Sequence, residues 1–182
     1  WKRMIAHYWG LVSMVDNQVG RILNKLEERG LRDNTIIVFT SDHGDMMGSH
    51  NLLAKCVMYQ EAVQVPCMIS MPHQKKTMTV DIPVSQIDLV PTLLEALGKE
   101  IPSSLDGNSL YKEMISNNWK SLEGNCVYIQ WTGPNTGFTD HLGKVDHLPI
   151  WMEKYSSEEI DRLVLSPVIS IITTAGWKFS SN

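Results

Sequence analysis

Cysteine is scarce in this 182-residue chain: Cys56, Cys67 and Cys126 are an odd number and contain no CxxC pair. That pattern excludes a disulfide framework and a thiolate zinc site, and all three are expected as buried thiols. A basic surplus is missing too. The formal net charge is -4, and Lys and Arg are scattered singly rather than gathered in a stripe, so there is no electrostatic footprint for nucleic acid. No window reaches the roughly 18 to 20 consecutive apolar residues of a membrane span, and no apolar signal region follows basic residues at the amino end. Internal repeats and low-complexity tracts are absent as well. What remains is an ordinary globular composition, 43% hydrophobic and 20% charged, long enough to bury a core as one domain or a large part of one.

The pattern along the chain points to an α/β architecture. Ile5, Tyr8, Val12, Val15, Val19, Ile22, Leu23 and Leu26 recur at steps of three and four, which predicts one face of a long amphipathic helix ending at Gly30. Thr35-Ile36-Ile37-Val38-Phe39-Thr40 is short, continuously apolar and β-branched, as in a central strand covered by helices on both faces. Residues 65–71 read as another strand, with Pro66 at its start where a missing N–H is tolerated. Ile87 to Leu97 reads as a helix started or broken near Pro91 and closed by Gly98. Residues 126–131 and 169–174 resemble strands, the latter turning through Ala175-Gly176 into residues 177–179 as a hairpin. Between them, residues 132–149 read as a long loop, and Ser157 to Leu165 as a short helix capped by Ser157.

The chemistry concentrates where the first strand ends, in Ser41-Asp42-His43-Gly44-Asp45. Ligands in open α/β sheets bind beyond the carboxyl ends of the strands, so the place suits a site. Asp42 and His43 are adjacent oxygen and imidazole donors able to share one metal ion, and Gly44 lets the backbone turn tightly there. The same four residues equally suit an ordinary turn, with Asp42 accepting backbone N–H groups and His43 solvated.

The wider segment decides between the two. Ser41 through Lys55, with its Gly48-Ser49-His50 turn, is followed by Met58-Tyr59-Gln60-Glu61-Ala62 and Val65-Pro66; in this order it resembles the sulfatase family of the alkaline-phosphatase-like superfamily. Residues 8–26 are similar to that family's helix before the strand. Asp88-Leu89-Val90-Pro91-Thr92-Leu93-Leu94, Ile101-Pro102 and Leu105-Asp106-Gly107-Asn108-Ser109-Leu110 continue the likeness, which is strong to about residue 110 and weak from Lys112 to Ser166. The resemblance implies part of a three-layer α/β/α sheet in residues 1–110, followed over 111–182 by the start of a smaller C-terminal α+β subdomain with substrate-side loops.

By that resemblance Asp42 and His43 are a pair of calcium ligands, Lys55 grips the sulfate ester, and His50 either lines the sulfate pocket or braces the Gly48 turn. Asp45 is expected outside the metal shell or toward the substrate, and Gln64 stands where the family more often has Arg. The family's nucleophile is a formylglycine made within C/S-x-P-x-R, a motif this chain does not contain, and its paired amino-terminal Asp ligands are absent too. Both ends therefore read as internal to a longer protein, and the isolated chain is expected to be inactive.

The substrate implied is a sulfated small molecule or sulfated carbohydrate. A phosphatase or phosphodiesterase of the same superfamily is the alternative and would need further ligands, for which Asp140-His141 and Asp146-His147 are the candidates; a non-catalytic binding module on the same fold is another. The absence of an Asn-x-Ser/Thr sequon favours a bacterial source over a glycosylated lysosomal or secreted animal one, with a periplasmic or secreted place preferred and the cytoplasm the alternative.

Overall fold

The structure, a computed structural model, describes residues 1–181 apart from Cys56, 75–76, 132–153 and Ser166. It divides into two compact units, residues 1–78 and 79–182, each described by itself. Among the described residues no helix is long and apolar enough to cross a membrane.

In the first unit, α1 runs from Lys2 to Glu28, about 40 Å at 1.5 Å per residue. Its end follows from Gly30, whose φ of 63° is the left-handed conformation open to glycine at little cost. The Gly30 amide donates to Glu27 O and the Leu31 amide reaches back to Leu26 O, satisfying carbonyls the helix would otherwise leave bare. The predicted amphipathic stripe is present, yet α1 has no buried residue. A turn at Arg32–Asn34 leads into β1, Ile37–Thr40, shorter than expected by two residues. After the loop that follows come α2, Gln60–Val63, and β2, Cys67–Ser70. β2 pairs antiparallel with β1, with Thr40 opposite Cys67 and Ile37 opposite Ser70. Each β1 residue keeps some exposure, so the covering on both faces expected for a central strand is not supplied within this unit. Cys67 is exposed and Cys126 only half-buried, contrary to expectation: Cys67 opens β2, whose first two positions, on opposite faces of a two-stranded sheet, are both exposed.

The second unit begins with a turn at Gln86–Asp88 that runs into α3, Leu89–Ala96. Pro91 sits in the helix's first turn, where its missing N–H costs nothing, and Gly98 follows the end with a φ of 63°. Asp88 is buried and acts as a backbone latch. One carboxylate oxygen accepts the Ser85 amide at 3.1 Å, the other the Asn108 amide at 2.8 Å. Thr92, also buried, donates its hydroxyl to Asp88 O at 2.6 Å and accepts the Leu110 amide at 2.9 Å. Gly107 completes the closure, since a Cβ there would lie 2.0 Å from Ile87 O. The Asp-Leu-Val-Pro-Thr and Asp-Gly-Asn-Ser-Leu stretches are thus two halves of one structural fastening. Thr92→Val is expected to strand the Leu110 N–H and lower stability by about 1–3 kcal/mol, measured by urea unfolding.

Beyond the latch lie α4, Tyr111–Ser116, and a turn at Trp119–Leu122. β3 (Cys126–Trp131), β4 (Val168–Thr173) and β5 (Lys178–Ser181) form an antiparallel sheet in that order. The hairpin predicted through Gly176 is there, at a φ of 82°, with β5 one residue later than expected. Between β3 and β4 stands α5, Ser157–Leu165. Its cap is Ser156 rather than Ser157: the Glu159 carboxylate accepts the Ser156 amide at 2.8 Å and its hydroxyl at 2.9 Å, while the Glu159 amide donates to Ser156 Oγ at 3.3 Å. This reciprocal box holds the Glu159 carboxyl below its ordinary range. The loop expected over 132–149, with Asp140-His141 and Asp146-His147, lies outside the described residues.

Candidate metal and sulfate site

β1 ends at Thr40 and the chain turns at once, so Asp42 and His43 leave the strand's carboxyl end. The turn organises itself. Ser41 Oγ donates to His43 O at 2.8 Å and the His43 amide donates to Asp42 Oδ1 at 2.9 Å. That amide, first among several contributions, lowers the Asp42 pKa below the ordinary carboxylate value, because it stabilises the charged form. The carboxyl is therefore an anion at neutral pH, and its side chain is 83% exposed.

His43 is fixed by a different contact. Its Nδ1 lies 2.8 Å from Gly44 O, and since a carbonyl only accepts, Nδ1 is the donor in that contact. The ring's Nε2 sits 3.3 Å from Asp42 Oδ2. Two donors each about 2.3–2.4 Å from a shared cation and at right angles around it would be about 3.3 Å apart, so the pair has the span of two neighbouring ligands. Among the described residues no group of three or more His, Cys, Asp or Glu side chains is arranged to hold an ion; Asp42 and His43 stand as a pair of adjacent donors. Asp45 is engaged elsewhere, with Oδ1 accepting the Met47 amide at 2.9 Å.

Gly44 locks this turn against α2. Its amide donates to Ala62 O at 2.8 Å, and a Cβ at this position would lie 1.9 Å from Glu61 O. No side chain fits. The loop from Met46 to Lys55 is then closed by the Met46 amide donating to Ala54 O at 2.7 Å, and the Gly48 amide to Leu52 O at 2.9 Å. Met46, 1% exposed, is the apolar anchor beneath it. Within this short loop Met47, Gly48, His50, Asn51 and Ala54 all have positive φ, from 42° to 99°. Four of these residues carry side chains, and non-glycine residues in this conformation cost of the order of 1–3 kcal/mol each and cluster at functional sites.

The loop delivers Lys55 as an exposed residue immediately after the strained Ala54. His50 is placed differently: its ring stacks on Tyr59 with centroids 4.0 Å apart and planes 12° from parallel, and its Nε2 is 3.8 Å from a Glu61 carboxylate oxygen. Tyr59 and Glu61 had been noticed in the sequence only as part of a resemblance; nothing in their spacing told that they would close on His50. Gln64 contacts Gln60 one turn earlier through their side-chain amides.

Comparison with known proteins bears on the family and the fold. The sulfatase family model matches residues 1–99. An arylsulfatase of Clostridium perfringens is 42% identical over 118 residues, covering 63% of this chain and 24% of its own length. A phosphonate monoester hydrolase from Silicibacter pomeroyi superposes with a TM-score of 0.74 at 28% identity, over 96% of this chain and 31% of that one. A further enzyme, solved with its substrate D-glucosamine-2-N,6-O-disulfate, gives a TM-score of 0.58 at 27% identity, over 90% of this chain and 28% of that one. The chain therefore spans about a quarter to a third of the lengths of these proteins. With more than half of its residues matched by that model, and alkaline-phosphatase-like hydrolases as its structural neighbours, the chain belongs to the sulfatase family.

Proposed function

We propose that this chain forms one side of the active site of a sulfuric ester hydrolase, supplying two ligands for a divalent cation and the lysine that receives the sulfate group. The observation that carries the reading is the His43 ring, held by Gly44 O with its Nε2 3.3 Å from the Asp42 carboxylate. Asp42 and His43 would hold the ion; calcium suits the oxygen-rich chemistry. When bound, that ion supplies positive charge to an ester oxygen. Lys55 offsets negative charge on the sulfate oxygens as the ester S–O bond breaks, an effect that depends on the ammonium being fixed beforehand. The nucleophile, expected as a formylglycine, is not among these residues, because the sequence contains no C/S-x-P-x-R. The isolated chain is accordingly proposed to be inactive, and turnover of an aryl sulfate by it would refute the proposal.

The substrate class proposed is a sulfated carbohydrate or other sulfated small molecule, supported by the sulfated glucosamine bound in one structural neighbour. A second reading has one observation in its favour: the phosphonate monoester hydrolase superposes more closely, 0.74 against 0.58 in TM-score. The complete protein, stripped by chelation and resupplied with calcium or zinc, separates the two. Calcium-restored hydrolysis of an aryl sulfate in preference to an aryl phosphonate monoester is expected. Phosphonate preference with zinc would establish the second reading, and no turnover of either would point to a binding module.

A further inference from the structure

We infer that the stack of His50 on Tyr59 is a clasp that fixes Lys55, making His50 a positioning residue rather than a group that touches substrate; this rests on the assignment of Lys55 to the sulfate. The two rings lie at the ends of a ten-residue segment with Lys55 inside it, five residues after His50 and four before Tyr59. Their parallel contact at 4.0 Å and 12° closes that segment into a loop. Without the closure, a lysine following a left-handed Ala54 would be carried on an exposed stretch, since residues 50–55 are all exposed. The clasp is also continuous with the metal turn. Tyr59 leads directly into α2, whose Glu61 and Ala62 carbonyls pack against and accept from Gly44.

The ring contact, not the ion pair, carries the effect. His50 and Glu61 stand 3.8 Å apart with side chains 50% and 39% exposed, and pairs of that exposure contribute little. Nor is His50 needed for its backbone. Its φ of 54° is one that glycine adopts more readily than histidine, so His50→Gly preserves the turn and removes only the ring.

The test uses the complete protein and a double-mutant design. His50→Gly and Tyr59→Ala are each expected to lower kcat for an aryl sulfate by about 10- to 100-fold, the range seen when a group supporting a functional side chain is lost, with KM changed less than about threefold, since the lysine acts as charge develops. Tyr59→Phe, which keeps the stack, should stay within about threefold of the parent. With Lys55→Ala already in place, His50→Gly and Tyr59→Ala should change kcat less than about twofold. Equal losses with and without Lys55 would mean that the rings act independently of it and would overturn the clasp, as would a large loss in Tyr59→Phe. If Lys55→Ala lowers kcat while His50→Gly and Tyr59→Ala do not, the clasp alone fails. If Lys55→Ala leaves kcat unchanged, the assignment of Lys55 fails and takes the clasp with it.

Discussion

Asp42→Ala in the complete protein is expected to abolish calcium-dependent hydrolysis of an aryl sulfate, lowering kcat/KM by about 10²- to 10³-fold, the range found when one preorganised charge contact is removed from an active site. Alanine takes away the carboxylate facing His43 Nε2 and, with it, the acceptor of the His43 amide. His43 is left with its Nδ1 contact to Gly44 O but without the adjacent donor of the proposed pair. Asp42→Asn separates the two losses: the amide oxygen can still accept the His43 amide and can still serve as a weaker, neutral ligand. The expected order of calcium affinity, read by calorimetric titration, is parent above Asn above Ala. Equal affinity in all three would remove the metal from this turn.

The second large effect is expected at Gly44. An alanine Cβ would fall 1.9 Å from Glu61 O and 2.9 Å from the Glu61 carbonyl carbon, and both obstacles are backbone, which cannot swing aside. The turn must then leave α2, breaking the 2.8 Å hydrogen bond from the Gly44 amide to Ala62 O and displacing the carbonyl that fixes His43. Gly44→Ala is expected to destabilise by about 3 kcal/mol, at the upper end for overpacking. Calcium affinity should fall at least tenfold, since the orienting partner of the proposed ligand His43 is lost. Gly20→Ala is the internal control: nothing lies within 4 Å of its added methyl, it sits inside α1, and it should stabilise by about 0.5–1 kcal/mol. Urea unfolding of both variants checks the pair. Similar midpoints would mean that Gly44 is not wedged as described.

The long helix was legible because its three- and four-residue spacing has no competing explanation, and its end because Gly30 takes the left-handed conformation that stops a helix. β1 and the site turn were legible for the same reason, an apolar β-branched run ending abruptly in polar residues. The resemblance located Lys55 and the Asp42-His43 pair but could not show how they are held. The contacts that hold the site turn and its loop, Nδ1 of His43 on a carbonyl, Gly44 against α2, His50 on Tyr59, depend on backbone directions that a residue list does not encode. The same is true of the Asp88 latch, whose partners are 20 residues apart. Where the reading of the residues erred, the cause was local. Ser156 rather than Ser157 caps α5 because Glu159 stands three residues after Ser156, and Cys67 is exposed because both faces of β2 are open at its first positions.

The bare stripe of α1 makes that helix a reporter. Within this chain Val12 and Val15 are 43% and 50% exposed, so shortening either to alanine opens no void here. On helix preference alone, each exchange should leave the chain by itself unchanged or more stable by a few tenths of a kcal/mol. Were the same side chains enclosed in the complete protein, the exchange would instead cost about 1–2 kcal/mol of lost methyl burial. The sign of that difference, measured in the two contexts, tells whether a neighbour covers the helix, without a structure of the larger assembly.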